Sequence, residues 1–322
     1  MKDHRDEIRP FRILCLSGGG YKGLFTAIIL ERLERRAGGP LRDRFDIVSG
    51  TSIGGVIALA VAAGVPMRDL VHAFRTEGRR IFPHGGSPGL GLASARSLLR
   101  HLSRPKYDAA PLREAIARMT GEGMRLADLP VRVALPAVRI LDGAPVIFTR
   151  DSHPGALVTD VAMATSAAPM MFPTARVGGE AHADGAVFAT APDLVALHEA
   201  EFAHGATPSW IRMLSIGALS GAVRLKAPAH DNLGILGWMA GHRILGTVLA
   251  AQEQITMRMA EQRLGSAYLR IDGHVAEADA VRLGLDLATH EAGRIIAAAA
   301  AAVPEERLDA ALALIGGKVA AG

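Results

Sequence analysis

Two strand, glycine-turn, helix units follow one another near the start of the chain, and they constrain the fold more than any other feature. The apolar run Phe11–Leu16 leads into Ser-Gly-Gly-Gly, and an amphipathic segment follows from Leu24 to Leu33. The run Phe45–Ser49 leads into Gly-Thr-Ser-Ile-Gly-Gly and then the apolar segment Val56–Ala63. Units of this kind in series predict parallel strands joined by helices. We therefore expect an α/β fold of three layers, with helices on both faces of a mainly parallel central sheet.

The rest of the chain continues this alternation. Further strands are predicted at Val131–Val138, Pro145–Thr149, Trp210–Ile216 and Ala267–Ile271, the first two forming a hairpin around the Asp142-Gly143 turn. Further helices are predicted around Ala95–His101, at Val161–Ser166, Asp193–Phe202 and Leu233–Leu264, and throughout residues 274–322. We divide the chain into an α/β domain at residues 11–273 and a helical C-terminal extension at residues 274–322 that packs on the same domain.

The composition indicates in which cellular compartment the protein works and which kinds of partner are not expected to bind it. The single cysteine, Cys15, lies in an apolar run, which excludes an internal disulfide and favours the cytoplasm; a catalytic thiol is the weaker alternative. No apolar run reaches the roughly 20 residues that a membrane-spanning helix needs, so any membrane contact is expected to be peripheral. Aromatic residues make up only 4% of the chain, which argues against a DNA or RNA partner.

Basic residues are concentrated in two places although the net charge is only +4. The clusters are Arg32, Arg35, Arg36, Arg42 and Arg44, and then Arg96, Arg100, Arg104 and Lys106. Solvated helix faces and attraction to anionic phospholipid headgroups are both consistent with this pattern.

The second glycine turn predicts a nucleophile. Small residues at both ends of Gly50-Thr51-Ser52-Ile53-Gly54 allow a sharp turn between strand and helix, which lifts the serine hydroxyl from the sheet edge. The amides of the following helix then point at the reaction centre. We predict that Ser52 is the catalytic nucleophile.

The first glycine turn, residues 18–23, has two interpretations. Its Gly-x-Gly-x-x-Gly pattern fits the dinucleotide fingerprint of an NAD(P)-binding oxidoreductase. The nearest acid, Asp46, however, opens the second strand, whereas the ribose-binding acid should close it. The favoured interpretation is an oxyanion hole, in which backbone amides stabilise a tetrahedral intermediate. The candidate donors are Gly18, Gly19 and Gly20, with the amide of Ile53.

The base is harder to assign from local pattern. An α/β-hydrolase would place an acid and then a histidine after the serine. His153 and His182 lie nearest the relevant segments, and both read as surface or structural residues. Asp184 lies in an Asp-Gly-Ala turn after a strand-like segment, where a carboxylate can be held rigidly, although Asp-Gly alone is only a turn signal.

Three motifs together, Gly18–Gly23, Gly50–Gly54 and Asp184–Ala186, resemble the patatin-like phospholipase family, as does the segment Ala164–Pro173. The resemblance covers about residues 11–273. It implies a Ser52–Asp184 dyad without histidine, a glycine-rich oxyanion loop, and phospholipase A-type hydrolysis of lipid acyl esters that requires no metal or cofactor. The motif positions around these groups are Gly23, Gly50, Gly54, Gly185 and Ala186.

A finer resemblance is to the patatin-like effector phospholipases of bacterial cyclic-oligonucleotide-based anti-phage signalling systems (CBASS). It rests on Arg12–Ala27, Gly50–Gly55 and Ala191–Ala200. It implies activation by a cyclic dinucleotide such as cGAMP and degradation of phospholipids at the inner membrane surface. A constitutive housekeeping lipid acyl hydrolase and a catalytically silent lipid- or nucleotide-binding protein stay open as alternative functions. The oligomeric state is also left open, with a homodimer as one possibility.

The apolar run Met170-Met171-Phe172 and the loop at residues 82–95 are candidates for an acyl-chain groove or a lid. Ordinary core packing is the competing interpretation for the methionines.

Overall fold

A sheet of eight strands forms the centre of the protein. The computed structural model describes residues 9–83, 104–219 and 243–316. The strands are β1 Phe11–Leu16, β2 Ile47–Gly50, β3 Arg132–Arg139, β4 Pro145–Phe148, β5 Ala175–Val177, β6 Glu180–Asp184, β7 Ile211–Ile216 and β8 Tyr268–Ile271. Strands β3, β2, β1, β7 and β8 are neighbours in that order and run parallel. Strands β4 and β6 pair antiparallel with β3, and β5 pairs antiparallel with β6.

Helices cover both faces of this sheet. They are α1 Gly23–Ala37, α2 Ile53–Ala63, α3 Met67–Ile81, α4 Ala110–Thr120, α5 Val158–Thr165, α6 Ala186–Ala189, α7 Asp193–His198, α8 Arg243–Leu264, α9 Glu277–Ala280, α10 His290–Ala301 and α11 Glu305–Leu314. Successive side chains of a strand point to opposite faces. In β1, Leu14 and Leu16 accordingly pack in one hydrophobic cluster, while Ile13 and Cys15 pack in another. The predicted α/β/α layering with a mainly parallel sheet is confirmed.

The two glycine turns lie side by side because β1 and β2 are parallel neighbours. Leu16, the last residue of β1, is paired with Gly50, the last residue of β2. Both glycine turns therefore leave the sheet at the carboxyl ends of its parallel strands, which is where open α/β sheets bind their ligands.

Several elements differ from the sequence predictions. Strand β5 and helix α4 were not predicted. Strand β6, Glu-Ala-His-Ala-Asp, is the strand-like segment before the Asp-Gly-Ala turn; it has no β-branched residue and forms by pairing with β3. Residues 274–316 are not helical throughout, since non-helical chain containing Gly284 separates α9 from α10. The predicted helix at 95–101, the loop at 84–95 and the first part of the helix predicted from Leu233 lie outside the described residues.

Two arginines of the first basic cluster bind the C-terminal helices. Arg32 donates to the carbonyls of Ala300 at 2.5 Å and Val303 at 3.1 Å, at the end of α10. Arg32 and Arg36 also form ion pairs with Glu305 at 2.5 and 2.7 Å. Cations at a helix C-terminus satisfy carbonyls that have no partner within the helix. These two side chains therefore attach residues 290–305 to α1 rather than forming an open basic surface.

Candidate active site

Ser52 lies at a strained turn between β2 and α2. Its backbone has φ 57° and ψ −129°, a conformation that residues other than glycine rarely adopt. The turn is tight enough to require glycine on both sides: a Cβ on Gly50 would lie 2.1 Å from the Gly54 carbonyl oxygen, and one on Gly54 would lie 2.2 Å from the Leu16 oxygen. This is the geometry of a serine raised on a strand-to-helix elbow.

Thr165, at the end of α5, supports this turn, and sequence reasoning missed it. The Ser52 amide donates to the Thr165 hydroxyl at 3.2 Å, and that hydroxyl donates to the Pro136 carbonyl at 2.6 Å. Thr165 is fully buried. The only available signal was its place in the segment Ala164–Pro173, whose similarity to a family motif does not identify a hydrogen bond.

Asp184 ends β6 and points at Ser52. Its side chain is buried, with 2% of its surface exposed, and it accepts hydrogen bonds from the Ser52 hydroxyl and, at 2.7 Å on Oδ1, from the Ala186 amide. Burial raises the pKa of the Asp184 carboxyl from 3.8 to about 7, and the two hydrogen bonds oppose that rise. A carboxylate with this pKa is a stronger base than an exposed aspartate and is ionised in half the molecules near neutral pH.

The raised pKa of Asp184 predicts a pH-dependent stability. The folded protein holds this proton more tightly than the unfolded chain, so the stabilisation is complete below about pH 4 and is lost as the pH rises through about 7. Asp184→Asn removes the ionisation, so the free energy of unfolding of the variant relative to wild type should increase by about 2 kcal/mol between about pH 5 and pH 8. Urea unfolding at both pH values measures it. A difference that does not change with pH would contradict the raised pKa.

The first glycine turn faces Ser52. A Cβ on Gly18 would lie 3.3 Å from the Ser52 Cβ. The Gly18 amide, however, donates to the Thr190 carbonyl at 2.9 Å and is therefore not free for an oxyanion. Among the described residues, the Gly19 and Gly20 amides have no such acceptor. The Ile53 amide lies in the first turn of α2, where amides lack a partner within the helix.

A carbonyl from the C-terminal region closes over this turn. The Leu285 oxygen accepts from the Tyr21 amide at 2.7 Å, and a Cβ on Gly20 would lie 2.0 Å from the same oxygen. Gly20 also has φ 57°, so both space and backbone conformation require glycine there. Asp286 holds the segment in place by accepting from Lys106 at 2.5 Å and from Tyr107 at 2.7 Å. Residues from the predicted extension thus contact the glycine turn directly.

A buried polar network supports the glycine turn from the sheet side. Arg270 on β8 donates to the hydroxyls of Ser17 at 3.0 Å and Ser215 at 2.8 Å, and to the carboxylates of Glu253 and Asp272, both at 3.1 Å. A buried guanidinium is stable only when paired in this way. Its role was not predicted, because three of its four partners, Ser17, Ser215 and Glu253, come from other parts of the chain.

The other candidate residues have structural roles. His153 and His182 pack their rings against Phe148, with centroids 4.7 and 5.2 Å away. Cys15 is fully buried, and burial raises the pKa of its thiol, which opposes thiolate chemistry. Asp46 lies before β2, at the edge of the sheet opposite the glycine turns, and accepts from the Arg9 guanidinium and the Arg12 amide. It is therefore not placed to bind a ribose.

The predicted methionine groove divides into a buried and an exposed part. Phe172 is buried, and its ring packs at a tilt against those of Phe82 and Tyr107 at centroid distances of 5.9 and 5.8 Å. Met170 is 55% exposed, with φ 69°. Core packing thus explains Phe172 but not Met170.

Within the described ranges, no group of three or more His, Cys, Asp or Glu side chains is arranged to hold a metal ion. No helix within residues 9–83, 104–219 and 243–316 is both long and apolar enough to cross a membrane.

A mostly parallel sheet that presents a serine on a strained strand-to-helix turn is typical of α/β ester hydrolases, although here the serine is paired with the buried carboxyl of Asp184 and not with a histidine. A family model described as patatin-like phospholipase matches residues 14–197. The chain belongs to the patatin-like phospholipase family and is a lipid ester hydrolase. Membership of this family rules out the oxidoreductase interpretation of the first glycine turn.

Three relatives, each described as a cGAMP-activated phospholipase, match most of the chain. The relative from Pseudomonas aeruginosa is 36% identical over 272 residues, which cover 82% of this chain and 79% of the relative. The one from Vibrio cholerae is 33% identical over 306 residues, covering 86% of each chain. The one from Escherichia coli is 31% identical over 306 residues, covering 86% of this chain and 84% of the relative.

Proposed function

We propose that this protein hydrolyses phospholipid acyl esters with Ser52 as nucleophile and Asp184 as general base. The observation that carries the proposal is the hydrogen bond between the Ser52 hydroxyl and a buried carboxyl whose pKa lies at about 7. A base with a pKa near the working pH combines the correct protonation state with useful driving force for proton transfer.

The reaction proceeds in two halves. The Ser52 oxygen attacks the acyl carbonyl carbon, Asp184 takes the hydroxyl proton, and the carbonyl electron pair moves to oxygen. Collapse of this intermediate breaks the ester bond, and the departing lysophospholipid oxygen takes the proton from Asp184. Water then repeats the sequence on the acyl-enzyme, releases the fatty acid and restores the Ser52 hydroxyl.

The negative oxygen of the intermediate is held by backbone amides. Gly19, Gly20 and Ile53 are the proposed donors, whereas Gly18 shapes the loop through its bond to Thr190. Each such donor stabilises the transition state by about 3 kcal/mol. Burial makes Asp184 about as strong a base as an imidazole, and these amides add their stabilisation of the transition state to the action of that base.

We further propose that a cyclic dinucleotide activates the protein and that the activated enzyme degrades membrane phospholipids in anti-phage defence. Three relatives similar over at least four-fifths of this chain are described as cGAMP-activated phospholipases, which supports the same regulation here. The protein would then act from the cytoplasm on the inner membrane surface by peripheral contact.

Fatty-acid release from phosphatidylglycerol and phosphatidylethanolamine vesicles tests this regulation. We expect cGAMP to raise the rate at least about tenfold, a coupling within the usual range for an effector. An equimolar mixture of AMP and GMP is the control and should have no effect. Full activity without cGAMP would reject the regulation and leave a constitutive lipid acyl hydrolase.

A further inference from the structure

One glutamine of helix α8 joins the two ends of a short segment that follows Asp184. The side-chain oxygen of Gln252 accepts from the Thr190 amide at 2.9 Å, and its amide nitrogen donates to the Ala186 carbonyl at 3.0 Å. Both hydrogen-bonding groups of the side chain are thus used, and they span helix α6 from end to end.

The same two backbone positions contact the site. The Ala186 amide donates to Asp184 Oδ1 at 2.7 Å, and the Thr190 carbonyl accepts from the Gly18 amide at 2.9 Å. A continuous set of hydrogen bonds therefore runs from the Asp184 carboxylate through α6 to the glycine turn. Gln252 is the side chain that closes it.

The next residue of α8 supports the glycine turn by a second route. Glu253 is buried and accepts from Arg270 at 3.1 Å, and Arg270 donates to the Ser17 hydroxyl at 3.0 Å, one residue before Gly18. Adjacent residues of one helix thus hold the segment after the base and the loop that carries the oxyanion donors. A rigid second layer of this kind keeps reacting groups in productive geometry.

We propose that Gln252 is a positioning residue for the hydrolysis, acting through Ala186 on Asp184 and through Thr190 on the glycine turn. Loss of the Gln252 side chain removes neither the Ser52 hydroxyl nor the Asp184 carboxylate, but it loosens the alignment of these two groups with the oxyanion donors. Misplacement by about an ångström costs on the order of 100-fold in rate. The inference rests on the proposed function of Ser52 and Asp184.

The test compares Gln252→Ala and Gln252→Glu with Gln254→Ala, which truncates an exposed glutamine two residues along the same helix. Hydrolysis of a soluble p-nitrophenyl acyl ester is measured with cGAMP present throughout. We expect kcat to fall about 10- to 100-fold in both Gln252 variants, with KM within about twofold of wild type. Gln254→Ala should match wild type. Gln252→Glu has nearly the size of glutamine, so it separates the lost amide donor from a cavity.

The pH profile provides a readout that a general loss of stability would not move. The Ala186 amide lowers the pKa of Asp184, so a looser Ala186 should shift the acidic limb of the kcat profile to higher pH in the Gln252 variants. Equal kcat values for Gln252→Glu and Gln254→Ala, or a drop in kcat with an unshifted limb, would overturn the inference. If wild type itself failed to hydrolyse esters, or if Ser52→Ala retained the activity, the proposed function would fail instead.

Discussion

Ser52→Ala is expected to reduce ester hydrolysis to background, a loss on the order of 10⁶-fold in kcat. Alanine cannot form the acyl-enzyme, so no part of the two-step reaction remains. Because serine and alanine both carry a Cβ, the strained backbone at φ 57° is equally costly in either protein, and the variant should stay folded. Fatty-acid release from phospholipid vesicles measures the loss.

The matched control is Ser209→Ala, which removes a hydroxyl at an exposed turn. A fluorophosphonate probe provides an independent readout, since it should label wild type and Ser209→Ala at one serine and leave Ser52→Ala unlabelled. Substantial turnover by Ser52→Ala, or labelling at another position, would show that the nucleophile is a different residue.

Asp184→Asn is expected to lower kcat about 10²- to 10⁴-fold, the range that a general base contributes. Asparagine can keep an oxygen for the Ala186 amide at 2.7 Å but cannot accept the Ser52 proton. In wild type, kcat should rise with pH through about 7, because only the ionised carboxylate is active. The residual rate of the variant should lack this rise. Initial rates from about pH 5 to pH 9 measure both effects.

The hairpin at Asp142-Gly143 offers a control with the same dipeptide. Asp142 is exposed and pairs with Arg139 at 2.8 Å, so Asp142→Asn should leave kcat unchanged. Near-normal turnover by Asp184→Asn would exclude this residue as the base. It would leave the oxyanion amides and the strained turn as the sources of catalysis.

The nucleophile and the base differ in how far sequence alone could predict them. Ser52 is set by a continuous pattern of strand, small residues and helix, and a local pattern determines a local turn. Asp184 depends on β6 pairing antiparallel with β3, a contact between distant segments. Nothing in the Asp-Gly-Ala turn specifies that pairing, so the assignment needed a family resemblance.

The supporting residues could not be predicted for the same physical reason. Thr165, Gln252 and Arg270 each satisfy groups from remote parts of the chain, and polar side chains carry no periodic signature of such contacts. The prediction that residues 274–316 are helical throughout is wrong at Leu285. The backbone there is not helical, and its carbonyl accepts a hydrogen bond from the Tyr21 amide in the glycine turn. High alanine content favours helix, but that tertiary contact prevails there.

Strand β3 is a common reference for the nucleophile and the base. The Pro136 carbonyl accepts a hydrogen bond from the Thr165 hydroxyl, which itself accepts from the Ser52 amide. A Cβ on Gly185 would lie 2.3 Å from that same carbonyl oxygen. The next residue, Ala137, pairs with Asp184. Twisting or breathing of the sheet that displaces Pro136 therefore carries both reacting groups with it. The distance between the Ser52 hydroxyl and the Asp184 carboxylate should therefore change little when the sheet moves, because both groups are attached to the same two residues of β3.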